Sequence, residues 1–215
     1  MNRHHKELII VGFSGFGKEV HWLASRLGIV VRGFLDDNVA VAGSSFRSSP
    51  VLGGVEQWKN YANCDFVIAI GNPRVRKKVF DKMVSIGQPV FSTLIDPSAS
   101  VILEDVTVGQ GSIICAGTAS TVEINIGDHV IINLNCTVGH ETTIGSFTTV
   151  APLVAISGNV EIGQRVEVGT AASIRQGLVI NDGAMVGMGS VVTKNVAENT
   201  MVFGNPAKVI KTFSE

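Results

Sequence analysis

His140 stands directly before Glu141 in the segment VGHETTIG. A neutral imidazole beside a carboxylate can be held in one tautomer and act as a base near neutral pH. Asn133, one hexad earlier, adds a polar group on a neighbouring corner. A second concentration of chemistry lies near the start of the chain, where GFSGFGKE runs from Gly12 to Glu19. It fits G-x-x-x-x-G-K, yet Glu19 occupies the position where Ser or Thr must hold magnesium, and a carboxylate there opposes phosphates. A nucleoside triphosphatase is therefore rejected. The glycines are spaced G-x-x-G-x-G rather than G-x-G-x-x-G, so a nicotinamide site is a poor fit, although Asp36 lies near where a ribose-binding acid would. What survives is a glycine-rich turn from strand to helix. It is either an anion site made of backbone N–H groups or a tight turn with no ligand. Asp36 and Asp37 are open in the same way, between turn residues and carboxylates that accept hydrogen bonds from a sugar or a base. His4, His5 and His21 fall in the tail or first helix, and His129 lies in another corner; none receives a role.

Two kinds of element must position these groups. From Ile102 to Val192 every sixth residue is Ile or Val at 15 of 16 positions, Ser120 being the exception. A six-residue period fits neither a helix nor an alternating hairpin and is the signature of a parallel β-helix of hexapeptide repeats. One branched residue per hexad points into the coil, and a small one four residues on, such as Ser112, Cys136 or Thr148, fills beside it. Gly or Asn is expected to take the corner conformations that side chains resist. The segment before it follows another rule. Strands are expected at Glu7–Val11, Val30–Leu35, Cys64–Ile70 and Pro89–Thr93. Helices are expected at Lys18–Leu27, near Val55–Tyr61 and at Arg74–Ile86, with a polar loop from Asn38 to Pro50. Such alternation implies a small parallel α/β sheet, whose ligands sit at the carboxyl ends of the strands. The reading is a Rossmann-like α/β domain over residues 1–92 and a left-handed parallel β-helix over 93–215. Met201–Lys211 forms one more extended segment containing GNPAK.

Composition narrows the partners. The chain of 215 residues has a net charge of −1 and no basic run, so nucleic acid is not expected. No apolar stretch reaches membrane length, and MNRHHKE lacks the apolar region of a signal peptide, so no membrane insertion is expected. Cys64, Cys115 and Cys136 form no metal or disulfide spacing, which suits a reducing cytoplasm.

Together these residues resemble the bacterial sugar O- and N-acyltransferases of the hexapeptide superfamily. These include sialic acid O-acetyltransferases and the N-acetyltransferases that act on nucleotide-linked 4-amino-6-deoxy sugars, as in bacillosamine synthesis. The resemblance covers nearly the whole chain. It rests on GxSGxG (Gly12, Ser14, Gly15, Gly17), FLDD (Phe34–Asp37), AIGN with a following Arg (Ala69–Asn72, Arg76), GHE (Gly139–Glu141), SGNVEIG (Ser157–Gly163) and GNPAK (Gly204–Lys208). It implies His140 as general base with Glu141 as the adjacent acid, and Asn133, read from its spacing, joins them as a candidate catalytic group. It implies acetyl-CoA as co-substrate along a groove carrying Gly158, Thr170, Met188, Pro206 and Lys208. It also implies a nucleotide-linked amino sugar, with UDP the expected nucleotide, held by Ser14, Gly15, Phe16, Asp36, Asp37, Gly71, Asn72 and Arg76. Relatives often carry His where this chain has Phe16, and some carry His where it has Thr149.

The expected reaction is direct acetyl transfer from acetyl-CoA to the 4-amino group, with a backbone N–H such as that of Gly158 on the oxyanion. No metal and no acyl-enzyme are expected. The resemblance further implies a homotrimer with sites at the subunit junctions. Three rivals stand beside this reading. They are O-acetylation of a sialic acid or related sugar, a non-catalytic sugar-nucleotide-binding protein, and a nicotinamide enzyme that would bind NADH through its first 92 residues.

Overall fold

A computed structural model describes residues 6–213, so His4 and His5 lie outside the described residues. The chain divides after Leu94 into two compact units.

The first unit is a five-stranded sheet of β1 (Leu8–Val11), β2 (Val31–Leu35), β3 (Ser45–Phe46), β4 (Ser49–Gly53) and β5 (Asp65–Ile68), ordered β3-β4-β2-β1-β5. All neighbours are parallel except the β3–β4 hairpin. LIIV of β1 is buried at every position, the pattern of a strand covered on both faces. Helix α1 (Gly15–Arg26) follows β1 and buries Val20, Leu23 and Ala24, while α2 (Pro73–Val84) follows β5 and buries Met83. Ser14 caps α1 by accepting from the Gly17 N–H, and Asn72 caps α2 by accepting from Val75, with Pro73 opening that helix. Two expectations are corrected here. The polar loop from Asn38 to Pro50 contains the β3–β4 hairpin, and β4 pairs with β2 as a member of the sheet. The strand expected at Pro89–Thr93 is only an isolated bridge between Phe91 and Phe66. Pro89 has no N–H to donate, whereas β4 is registered on the edge of β2 through Val51 with Phe34 and Gly53 with Leu35.

The second unit is a parallel coil. Strands of two or three residues pair with the strand 18 residues on, as Thr107 with Asn125, Asn125 with Thr143, Thr143 with Glu161 and Glu161 with Val179. Three hexads therefore make one turn with three flat faces. The first face carries Thr143–Ile144, the second Thr149–Val150 and the third Thr137–Val138. The branched series fills the interior, from Ile114 and Ile126 to Val186 and Val192. The small residues lie inside too, and their polar groups are satisfied by one repeated bond. Ser112, Thr118, Thr142 and Thr148 each donate to the carbonyl 15 residues ahead, and the Cys136 thiol donates to Ala151 in the same way. Burial pushes that thiol up to about 11, so it is a packing group, as the repeat implies. Met201–Lys211, expected as one extended segment, is an antiparallel hairpin of Thr200–Phe203 and Lys208–Thr212.

The corner role expected of Gly and Asn holds at five glycines and two asparagines of the left-handed column, and the glycines after the branched residue follow another rule. Every sixth residue from Gly111 to Gly189 has positive φ, and nine of these are not glycine, among them His129, Glu141, Phe147, Leu153 and Ala171. The glycine directly after the branched residue is needed for space instead. A Cβ on Gly139 would lie 2.6 Å from the Gly158 nitrogen, and one on Gly145 would lie 2.5 Å from the Gly163 carbonyl carbon. These glycines let successive coils stack at strand spacing.

Candidate active site

In the first unit, β1 has β2 on one side and β5 on the other, which makes its carboxyl end a switch point. Gly12 there has φ +112 and packs near the Ala69 carbonyl. A Cβ on Gly17 would collide with the Gly12 carbonyl oxygen, so the turn fixes both glycines, whereas Gly15 and Gly71 have open space beside their α-carbons. Asp36 accepts from the Phe13 N–H at 2.7 Å and the Asn38 N–H at 2.8 Å. Asp37 accepts from the Val55 N–H at 2.8 Å and pairs with Lys82 at 2.8 Å; Lys82 also reaches Glu56. Although partial burial opposes it, hydrogen bonds from Lys82 and Val55 together with the Lys82 charge hold the Asp37 carboxyl below its usual range. Asp36, Asp37 and Glu56 line a cleft of about 300 Å³ with Asn38, Leu52 and Gly53. These carboxylates therefore brace the turns and also face a cavity. Arg76 differs from its expected place. It is fully buried and its guanidinium donates to the carbonyls of Ile70 and Gly71, so it reaches a ligand only through the loop it holds. Phe16 is half-buried on the first turn of α1.

In the second unit, the corner between the third and first faces carries His140 and Glu141. His140 Nδ1 lies 2.9 Å from a Glu141 carboxylate oxygen. A carboxylate only accepts, so this bond places the imidazole proton on Nδ1 and leaves the Nε2 lone pair outward. Glu141 has φ +56, and this left-handed conformation accompanies the return of its side chain to the preceding residue. The imidazole lies over Gly158 one coil on, where a Cβ would sit 2.4 Å from Nε2. Among the described residues the Gly158 N–H has no hydrogen-bond partner, while its carbonyl accepts from Gly177. His140, Glu141, Gly158, Asn159, Arg175, Gln176 and Gly177 line one cleft of about 420 Å³. An imidazole, the carboxylate bonded to it and a backbone N–H without a partner thus share one concavity, a set able to serve acyl transfer to an amine or hydroxyl. Arg175 and Gln176 were not singled out in the sequence. Their signal was there, because Arg175 follows Ile174 at a position that is otherwise Gly, Cys, Thr, Asn, Ala or Ser from Gly109 to Thr193.

The remaining residues occupy a different corner. Asn133 lies between the second and third faces, and its side-chain oxygen accepts from the Leu134 N–H; within the chain it is not brought to His140. Thr170 and Met188 lie on the same corner in later coils, and Met188 is exposed. The GNPAK turn is tied beside them by bonds from Gly204 to Ser190 Oγ, from Val191 to the Gly204 carbonyl and from Ala207 to the Val191 carbonyl. Pro206 and Lys208 are exposed there. One chain therefore separates two groups of expected site residues onto two edges of a three-sided coil. Thr149 is buried on a strand of the second face. Among the described residues, no group of three or more His, Cys, Asp and Glu gathers as a metal site, and no helix is long and apolar enough to cross a membrane.

Residues 7–83 match the PglD N-terminal domain family. Over 96% of its length the chain is similar to the acetyltransferase domain of PglB from Neisseria gonorrhoeae, at 31% identity, TM-score 0.88 and 100% of that domain; the domain is also known in complex with acetyl coenzyme A. It is similar to a perosamine N-acetyltransferase from Caulobacter crescentus, solved with CoA and GDP-perosamine, at 28% identity and TM-score 0.87 over 95% of this chain and 97% of that one. That protein has also been solved as variants in which one histidine is replaced by Asn or Ala. WeeI from Acinetobacter baumannii matches at 30% identity and TM-score 0.82, covering 95% of this chain and 99% of that one.

Proposed function

Since the chain belongs to the hexapeptide-repeat family of sugar acetyltransferases and is an acetyl-CoA-dependent enzyme, we propose that it N-acetylates the 4-amino group of a nucleotide-linked 4-amino-6-deoxy sugar. The observation that carries this reading is the His140–Glu141 pair over Gly158. In the proposed reaction Nε2 of His140 removes a proton from the attacking amine. The amine nitrogen bonds to the acetyl carbon, and the oxyanion accepts from the Gly158 N–H. The carbon–sulfur bond then breaks, and the proton held on His140 passes to the departing thiolate. Glu141 keeps Nδ1 protonated throughout and stabilises the imidazolium that forms.

The turn at Ser14–Phe16, the acidic pair and the Gly71–Asn72 loop are proposed to hold the nucleotide, in keeping with the match of residues 7–83. UDP is the expected nucleotide, and GDP is its rival because GDP-perosamine is bound by the Caulobacter protein. Asn133, Thr170, Met188 and the Pro206–Lys208 turn are proposed to meet acetyl-CoA. They stand on another corner from His140, so a homotrimer in which two corners of neighbouring copies face each other completes the site. The cytoplasm is the proposed setting, where three free cysteines persist.

Purified protein is to be assayed with acetyl-CoA against UDP- and GDP-linked 4-amino sugars, and against free and CMP-linked sialic acid. Amide product from a 4-amino sugar is expected, with His140→Ala slower by roughly 10²–10⁴-fold. Ester product from the sialic acids would instead establish the O-acetylation rival, and full activity of His140→Ala would remove the base from this mechanism.

A further inference from the structure

The corner that carries His140 continues as a straight track along the coil. Residues 18 apart stack on it, because Thr137–Val138, Ala155–Ile156, Ser173–Ile174 and Val191–Val192 pair in one register. The track therefore reads His140, Gly158, Gln176 and Lys194, with Arg175 beside Gln176. Its middle is narrow and polar, floored by Gly158 and Gly177, where backbone rather than side chain meets solvent. Stacked strands lie about 4.8 Å apart, which puts Arg175 about 10 Å and Lys194 about 14 Å along the axis from the catalytic corner. Both cations are exposed, and among the described residues neither side chain has an anionic or hydrogen-bonding partner.

Two observations single out Arg175, and a third separates both cations from a paired one. Arg175 replaces the small residue that the repeat otherwise places after its branched position, so its side chain is an exception to a rule set by stacking. It lines the same cleft as His140 and Glu141. Arg165, another exposed cation of this unit, has Asp182 within 3.9 Å, so it is engaged where Arg175 and Lys194 are not. A linear groove with a base at one end and unpaired cations at the other suits a linear molecule. That molecule has its reacting carbonyl at one end and its negative charge at the other.

We propose that Arg175 and Lys194 are positioning residues that bind phosphate groups of the acyl donor. Through them the thioester is held at the register that places its carbonyl under His140 and at the Gly158 N–H. This rests on the proposed function above. A guanidinium pairs with phosphate through a fork of N–H donors and an ammonium through a point charge. The pair therefore binds the donor in the ground state and the transition state alike, and its loss raises KM more than it lowers kcat.

The test compares acetyl-CoA with S-acetylpantetheine, a thioester that carries no phosphate. With acetyl-CoA, the Arg175→Met, Lys194→Met double variant is expected to raise KM at least tenfold with kcat within about threefold of the parent. Arg175→Lys should recover part of the loss. With S-acetylpantetheine the difference between parent and variant should disappear. Calorimetric titration of CoA itself should show the same weakening in the absence of any acetyl acceptor. Equal losses with both donors would reduce the two residues to a structural role and overturn the proposal, as would a KM change confined to the nucleotide sugar. A parent that binds CoA but acetylates no sugar would overturn the reaction assigned above, while the CoA titration still decides this proposal by itself.

Discussion

An exposed ion pair between adjacent residues contributes little to stability, and the His140–Glu141 pair is exposed on both sides. Its geometry is therefore best explained by what it does to Nε2. Gly158 offers a sharp test of that view, because a methyl group there would meet only the far end of an exposed imidazole. Gly158→Ala is expected to melt at the parent temperature, since the ring can swing away into solvent. The same swing moves the proposed base off its line, and displacement of about 1 Å can cost on the order of 10²-fold in rate. A thermal melt with kcat/KM on the same preparation measures both; an active Gly158→Ala would mean that the imidazole position is not what sets the rate. At this scale the sequence brought forward His140 and Glu141 through their adjacency and Gly158 through the family resemblance. It did not disclose that Arg76 is buried, because an Arg two residues into a helix reads as solvated until the loop carbonyls above it are placed. Nor did it bring forward Arg175, whose meaning lies in a rule visible only across many hexads.

The coil was legible because its period is long-range and strict, whereas the roles inside the period were not. Glycine after the branched residue suggested a corner conformation, but the left-handed residue falls two positions later and is more often Glu, His, Asn, Phe, Leu, Arg or Ala. Inter-coil bonds hold these residues in place, as the Ala171 N–H donates to Pro152 and the Gly189 N–H to Thr170. Left-handed backbone costs a non-glycine residue roughly 1–2 kcal/mol. Two positions in one column separate this cost from packing, Ala171 at φ +58 and Gly189 at φ +65 with open space beside it. Ala171→Gly is expected to stabilise the chain by about 0.5–1 kcal/mol, the strain relieved less the added freedom of the unfolded chain. Gly189→Ala should destabilise it by a similar amount. Denaturant titration of both variants gives the signs, and a loss on Ala171→Gly would show that the corner conformation carries no strain. In the first unit, β4 escaped the sequence because SSPVLGG is short and polar at its start. Its strand character comes from the partner edge of β2 rather than from its own residues.

At the scale of the whole molecule, the coil has an unusual surface for a finished monomer. Val122 on the His140 corner, Leu153 and Met188 on the other corner, and Phe203 on the second face are all close to half exposed or more. The two corners that hold the expected site residues lie on different edges of one chain, and the proposed trimer is what brings them together. In a cyclic trimer every junction takes the His140 corner from one copy and the Thr170–Met188 corner from the next. This arrangement predicts complementation between two inactive proteins. His140→Ala lacks the base but keeps the second corner, and Met188→Asp places a carboxylate on the second corner but keeps the base. Co-expression in equal amounts, with a different tag on each and capture through both, should restore activity. If assembly is random, roughly one junction in four joins the two intact corners. Each variant alone should remain inactive while sedimenting as a trimer. A monomeric mass for the parent, or mixed trimers no more active than their components, would place the whole reaction on one chain and dissolve the junction site.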